Sequence, residues 1–131
     1  MRSQHKMALA CAAGVFIGAS GMSVLRAQTA APEAYLVANI QEVKNLETYR
    51  SYQTAVTATQ IAYGGHFLAR GAKAVMLDKS VQPAGTIVIV AFPSMKNLQD
   101  WWNSPAYTAI RPIRESNTVS QIYAVEGLPR S

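Results

Sequence analysis

The chain has 131 residues, enough for one domain and not two. Its formal charge is +5, but Lys and Arg are scattered and no basic run with interleaved aromatics occurs, so no nucleic-acid partner is expected. No His, Cys or carboxylate cluster has metal-ligand spacing and no glycine-rich phosphate loop is present, so neither a metal nor a cofactor is expected.

The first 27 residues differ from the rest. Arg2, His5 and Lys6 form a basic start, and Met7 to Leu25 then runs uncharged. That is the layout of a secretory signal peptide, residues 1–27, with cleavage after Ala27 and a cut after Ala30 as the alternative. The rival reading is an uncleaved anchor, because a run of this length can just span a bilayer. Its richness in Ala, Gly and Ser weakens that apolar drive. A lipoprotein is disfavoured, since almost no apolar run precedes Cys11. The expected location is therefore exported, periplasmic or secreted, with membrane attachment only if the leader is retained. Cleavage removes Arg2, Lys6 and Arg26, leaving nine cations against seven acids, a charge of +2. It also leaves no cysteine, hence no disulfide, thiol nucleophile or Cys-ligated metal.

Residues 28–33 read as a flexible tail and 34–131 as the folded domain. "YLVANIQEV", 35–43, is a strand by its β-prone apolar content. Asn45 suits a helix cap. A helix runs from Leu46 to Tyr63, with Leu46, Tyr49, Tyr52, Val56 and Tyr63 near one face. Gly64 and Gly65 end it. Residues 66–77 form a second strand, in which Gly71 marks a bulge or close approach. "DKSVQPAG" is a hairpin-like turn. "TIVIVAF", 86–92, is apolar on both faces, so both faces are expected to be covered. Ser94 caps a helix, "MKNLQDWWN". Ser104 and Pro105 restart it, with a break at Pro112. Residues 118–127 form the last strand. The order β-α-β-β-α-β is that of a ferredoxin-like α+β fold.

The stretches "NLETYRSYQ", "YGGHFLARG", "TIVIVAFPSM", "WWNSPAYTAIRPIR" and "YAVEG" come in the order and spacing of a known family. From about Ala34 to Gly127 the chain resembles the family called domain of unknown function 1330. The resemblance implies a dimeric α+β barrel, in which two ferredoxin-like sheets pack face to face, and hence a homodimer. The two-sided apolar third strand points the same way. A domain of about 100 residues buries a modest share of its surface and gains from such pairing. The chain departs from the family pattern where Arg70, Gly71 and Ala72 stand for Arg-Gly-Gly, and at Trp102, where a smaller aromatic is usual. The family has no settled reaction, so the resemblance speaks of fold and assembly.

Candidate ligand-binding residues are Tyr49, Arg70, Trp101, Tyr107 and His66; no catalytic residue is assigned. His66 and Arg70, four apart on a strand, are expected on one side and roughly 13 Å apart, too far to share one reacting atom. His66 reads as a strand-end histidine, with proton transfer as its functional alternative. Arg70, within an apolar strand, needs a partner. That partner is Glu42, Glu115, Glu126 or a helix end, or else the carboxylate or enolate of a ligand. Tyr49, Tyr52 and Tyr63 read as core, or as phenol donors in a pocket between helix and sheet. Trp101 and Trp102 cannot share a helix face, so one packs on the sheet and the other borders a pocket or the dimer seam. Ser104 reads as a cap. Arg111 and Arg114 read as a solvated or dimer-facing charge patch, or as lining of the same cleft as Tyr107. Two functions stay open: an exported homodimer that binds or converts a small organic molecule without metal or nucleotide, or a non-catalytic binding or assembly protein whose motif residues form core and dimer contacts.

Overall fold

A computed structural model of the chain describes residues 30–79 and 85–130. The leader expected at 1–27 and most of the turn before the third strand lie outside them. Four strands and three helices follow in order: β1 (Ala34–Val43), α1 (Leu46–Ile61), β2 (His66–Lys73), β3 (Thr86–Phe92), α2 (Met95–Trp102), α3 (Pro105–Asn117) and β4 (Thr118–Glu126). The strands form one antiparallel sheet in the order β2-β3-β1-β4, a ferredoxin-like α+β fold. Among the described residues, no helix is long and apolar enough to cross a membrane.

Local chemistry sets the element ends. Asn45 caps α1 by accepting from the Thr48 N–H at 3.0 Å. The helix stops at Ile61, two residues before the expected end. Gly64 takes φ +80, and Gly65 donates its N–H to the Gln60 carbonyl. A Cβ on Gly64 would lie 2.8 Å from Pro93 Cγ, so the turn needs glycine for space as well as for φ. β2 ends at Lys73 instead of residue 77: Lys73 pairs with Thr86, the first residue of β3, and among the described residues no strand pairs with it further on. Ser94 and Ser104 cap α2 and α3 as expected. α3 does not break at Pro112. Pro112 is exposed, and Arg114 and Asn117 beyond it are buried, so packing holds the helix through the missing N–H.

The helices cover one face of the sheet. Leu36, Ile40, Val90 and Phe92 meet Tyr52 and Trp101 there, with Phe92 and Val90 fully buried. On β3, Val88, Val90 and Phe92 point to the helices, while Ile87, Ile89 and Ala91 point to the other side. That outer face also carries Tyr35, Val37, Tyr123 and Val125. In the single chain Tyr123 is 53% and Val125 45% exposed, so half of β3's apolar surface faces a sheet side that no helix of the described residues covers.

Asn117, at the end of α3, ties the two long helices together. Its carboxamide accepts from the Asn45 N–H and donates to the Asn45 carbonyl, both at 2.8 Å, and its own carbonyl accepts from Lys44 N–H. Asn117→Leu strands backbone groups of Asn45 and should lower the unfolding free energy by about 2 kcal/mol. An unchanged midpoint in urea denaturation would contradict that role.

Candidate functional site

A cavity of about 50 Å³ lies between the inner sheet face and helices α1 and α3. One water needs about 10–15 Å³ measured this way, so there is space for a few waters or for the head of a small ligand. Leu36, Ile40, Val56 and Val88 supply its apolar walls. Its polar lining is Tyr49, Tyr52 and Gln53 of α1, with Gln60 one helix end away, and Tyr107 and Arg114 of α3, with Arg70 of β2 on the remaining side.

The aromatic wall follows from helix periodicity. Tyr49, Tyr52, Val56 and Gln60 recur on the buried face of α1. Leu46 is left 56% exposed, and Gln60 takes the buried place expected of the last aromatic. The Tyr49 and Tyr52 rings stack at 6.0 Å. Trp101, 1% exposed, packs on Phe92 and lies 4.1 Å from the Tyr107 ring, and its indole N–H donates to Thr59 Oγ1. Trp102 points elsewhere, under the Arg111 guanidinium at 4.6 Å and into a separate surface cleft with Leu98 and Tyr123.

The phenol oxygens of Tyr52 and Tyr107 are 3.3 Å apart. Burial pushes the Tyr52 phenol well above its ordinary value of 10.0, and the neighbouring Tyr107 hydroxyl adds to this. Tyr49 is raised as well, again chiefly by burial. Both phenols are therefore neutral donors at any physiological pH.

Of the two places expected for Arg114, a charge patch or the lining of the cleft with Tyr107, the structure has the second: the residue is 8% exposed and its side chain lines the cavity. Nη1 donates to Ser120 Oγ at 3.3 Å. Nη2 is 3.6 Å from Glu115, whose side chain is 54% exposed, a long and screened contact. Among the described residues Nε has no hydrogen-bond partner, nor do Arg111 Nε and the side-chain oxygen of buried Gln60. A buried guanidinium thus faces the cavity with weak compensation from its own chain.

Arg70 is positioned by two irregularities in β2. Phe67 pairs with Val90 and Ala69 with Ile89; Arg70 pairs with Val88 and Ala72 with Ile87. Leu68 and Gly71 are the extra residues, and Gly71 takes φ +70. Because Val88 and Val90 face the helices, Phe67 and Arg70 do too. His66, opposite Ala91, lies on the outer face. His66 and Arg70 therefore do not share a side: a bulge between them shifts the alternation by one residue. Arg70 pairs with none of Glu42, Glu115 or Glu126, and with no helix end. It reaches the middle of α1, donating to the Gln53 carbonyl at 3.3 Å and Thr57 Oγ1 at 3.1 Å, with its guanidinium 4.5 Å above the Phe67 ring.

The structure thus brings Tyr49, Arg70, Trp101 and Tyr107 around one cavity and leaves His66 outside it. The unpartnered groups of Arg114 and Gln60 carry no sequence motif; only their place on the inner faces of α3 and α1 marks them. Among the described residues, no carboxylate, histidine or thiol lines the cavity, and no three potential metal ligands lie together.

The family of a domain of unknown function (DUF1330) matches residues 33–128, and the chain belongs to that family. Three solved structures are similar to it. A protein of unknown function from Rhodopseudomonas palustris is 16% identical, with TM-score 0.62 over 80% of this chain and 89% of that one. A dimeric ferredoxin-like protein of unknown function from Thermobifida fusca is 11% identical, with TM-score 0.51 over 73% and 92%. A hypothetical protein from Arabidopsis thaliana is 13% identical, with TM-score 0.52 over 77% and 92%. At these identities the likeness is one of fold. None of the curated proteins matches.

The buried phenol gives a pH signature. In the unfolded chain Tyr52 loses its proton near pH 10, whereas in the fold it keeps it to higher pH, so deprotonation favours unfolding. Stability should be constant below about pH 9 and fall by about 1.4 kcal/mol per pH unit above pH 10 on account of this group. Urea melts of the wild type and Tyr52→Phe between pH 9 and 11 measure this, and the variant should show the shallower fall. Equal slopes would place Tyr52 in water.

Proposed function

We propose that this protein is an exported homodimer that binds a small organic anion, or a molecule with a charge-bearing oxygen, in the cavity between the sheet and helices α1 and α3. The observation that carries this reading is Arg114. Its guanidinium is buried, only weakly paired, unpartnered at Nε and exposed to the cavity alongside the phenols of Tyr49, Tyr52 and Tyr107. A carboxylate, enolate or phenolate supplies an acceptor for Nε and a counter-charge stronger than Ser120 or the distant Glu115. The apolar walls suit an organic body over an inorganic ion.

Binding is better supported than acid–base catalysis. The polar groups named at the cavity are phenols, carboxamides and guanidinium groups, and no carboxylate or imidazole of the described residues lines it to serve as a general base. If a reaction occurs there, these residues act on it by holding negative charge on an oxygen of the substrate. Arg70 is well placed as a second cation at the mouth, since its bonds to α1 are neutral and no carboxylate of the described residues holds it.

The homodimer rests on the outer sheet face. Val37, Ile87, Ile89, Tyr123 and Val125 form an apolar surface over which no helix of the described residues lies, and which a second sheet would cover. The leader motif supports export.

Two experiments test the reading. Arg114→Met should bind benzoate at least tenfold more weakly by calorimetry. It should also unfold at the same temperature as the wild type or higher, because a buried, poorly paired charge costs stability. A variant that binds normally, or that collapses in stability, would assign Arg114 to structure. In sedimentation the full chain should behave as two copies at micromolar concentration, and Ile89→Arg as one; a monomeric wild type rules out the face-to-face pairing.

A further inference from the structure

Resting on that reading, we infer that the ligand is a compact hydroxy acid: its anionic oxygen meets Arg114 at one end of the cavity, and a hydroxyl at its far end donates to the side-chain oxygen of Gln60. Gln60 is 4% exposed and lines the same cavity. Its Oε1 has no hydrogen-bond partner among the described residues. An unpaired buried oxygen of this kind is costly, so the position calls for a donor. Packing alone gives no reason for a carboxamide there. Val56, one turn earlier on the same buried face of α1, is aliphatic.

Arg114 and Gln60 lie at opposite ends. Arg114 donates to Ser120, which is opposite Ile40 in the sheet. Gln60 follows Thr59, which accepts from the Trp101 indole, and Trp101 packs on Phe92, opposite Ala34. The cavity floor along β1 therefore runs from Ile40 at the cationic end toward Ala34 at the Gln60 end. Along α1, Tyr52 and Gln60 are two turns apart, about 12 Å. Arginine and glutamine are both long side chains, and they shorten that span. The cavity of about 50 Å³ has room for about three to five waters, and so for a body of about one ring, not a long chain. Phe67, Trp101 and Tyr107 among its walls suit a flat body. The two unpartnered atoms differ in kind: Arg114 Nε is a donor on a cation, and Gln60 Oε1 is an acceptor. A molecule that satisfies both carries an anionic oxygen and, across the ring from it, a protonated hydroxyl. A phenol keeps its proton near neutral pH and is such a donor.

The test is calorimetric titration of the full chain at pH 7 with benzoate, 4-fluorobenzoate, 3-hydroxybenzoate and 4-hydroxybenzoate, against wild type, Gln60→Met and Arg114→Met. Fluorine is close to a hydroxyl in size but donates no hydrogen bond. In the wild type, 4-fluorobenzoate should bind like benzoate, and at least one hydroxybenzoate about tenfold tighter, the gain from pairing a buried acceptor. In Gln60→Met the hydroxybenzoates should bind no tighter than benzoate. Arg114→Met should weaken every acid. Wild-type protein that binds neither hydroxybenzoate more tightly than benzoate overturns the inference and leaves the anion site standing, with a water on the Gln60 oxygen. A gain shared by 4-fluorobenzoate also overturns it, since size and not a donor then sets affinity. So does a hydroxyl preference that survives in Gln60→Met, which assigns the hydroxyl to another partner such as Tyr52 or Tyr107. The wild-type comparison holds even where a variant fails to fold. Failure of all four acids to bind, or equal binding by Arg114→Met, removes the anion site itself.

Discussion

A buried guanidinium facing a tyrosine-lined cavity is the constraint on which the rest of the site depends. Arg114 sits on the inner face of α3, one turn before the Asn117 clamp that ties α3 to the start of α1. Removing a charge from water is costly, and a long contact to an exposed neighbouring glutamate offsets little of that cost. Pairing with the exposed Glu115 would draw the side chain outward. The helix register instead turns it toward Tyr52, Tyr107 and the cavity. A fold optimised for stability alone would fill this position with an aliphatic residue. The polar pole makes sense as part of a binding site held ready for a counter-charge.

The sheet contributes by its irregularity. β2 is an edge strand, and its extra residue Leu68 puts Phe67 and Arg70 together on the helix side although they are three apart in sequence. The stacked Phe67 and Arg70 then bridge from the edge strand to the middle of α1, closing the flank of the cavity with a cation instead of a methyl group. The same bulge turns His66 away. The sheet thus separates two surfaces: the cavity with its cations on the inner side, and apolar Val37 and Ile89 with Tyr123 on the outer.

Much of this was legible in the residues. The β-branched run of β3, the caps at Asn45, Ser94 and Ser104, and the glycine stop after α1 each act through their nearest neighbours, so the sequence alone places the elements and their order. The aromatic stripe of α1 is legible for the same reason, being a matter of period. What failed were features settled across the fold. A strict two-residue alternation puts His66 beside Arg70, and only the register against β3 reveals the bulge that separates them. Pro112 reads as a break because local cost argues for one; packing of Arg114 and Asn117 overrides it. Arg114 reads equally as a charge patch or as cleft lining, because its burial depends on how α3 lies against α1. The Gln60 carboxamide carries no local signal, because an unpartnered buried atom is a property of its surroundings.

The most direct test of the central claim is a crystal structure of the full chain grown with 4-iodobenzoate, with the iodine located by its anomalous scattering. The account predicts the carboxylate against the Arg114 guanidinium and the Tyr52 and Tyr107 hydroxyls. A carboxylate bound only on the outer sheet face, with Arg114 held by a carboxylate of its own chain, would contradict it.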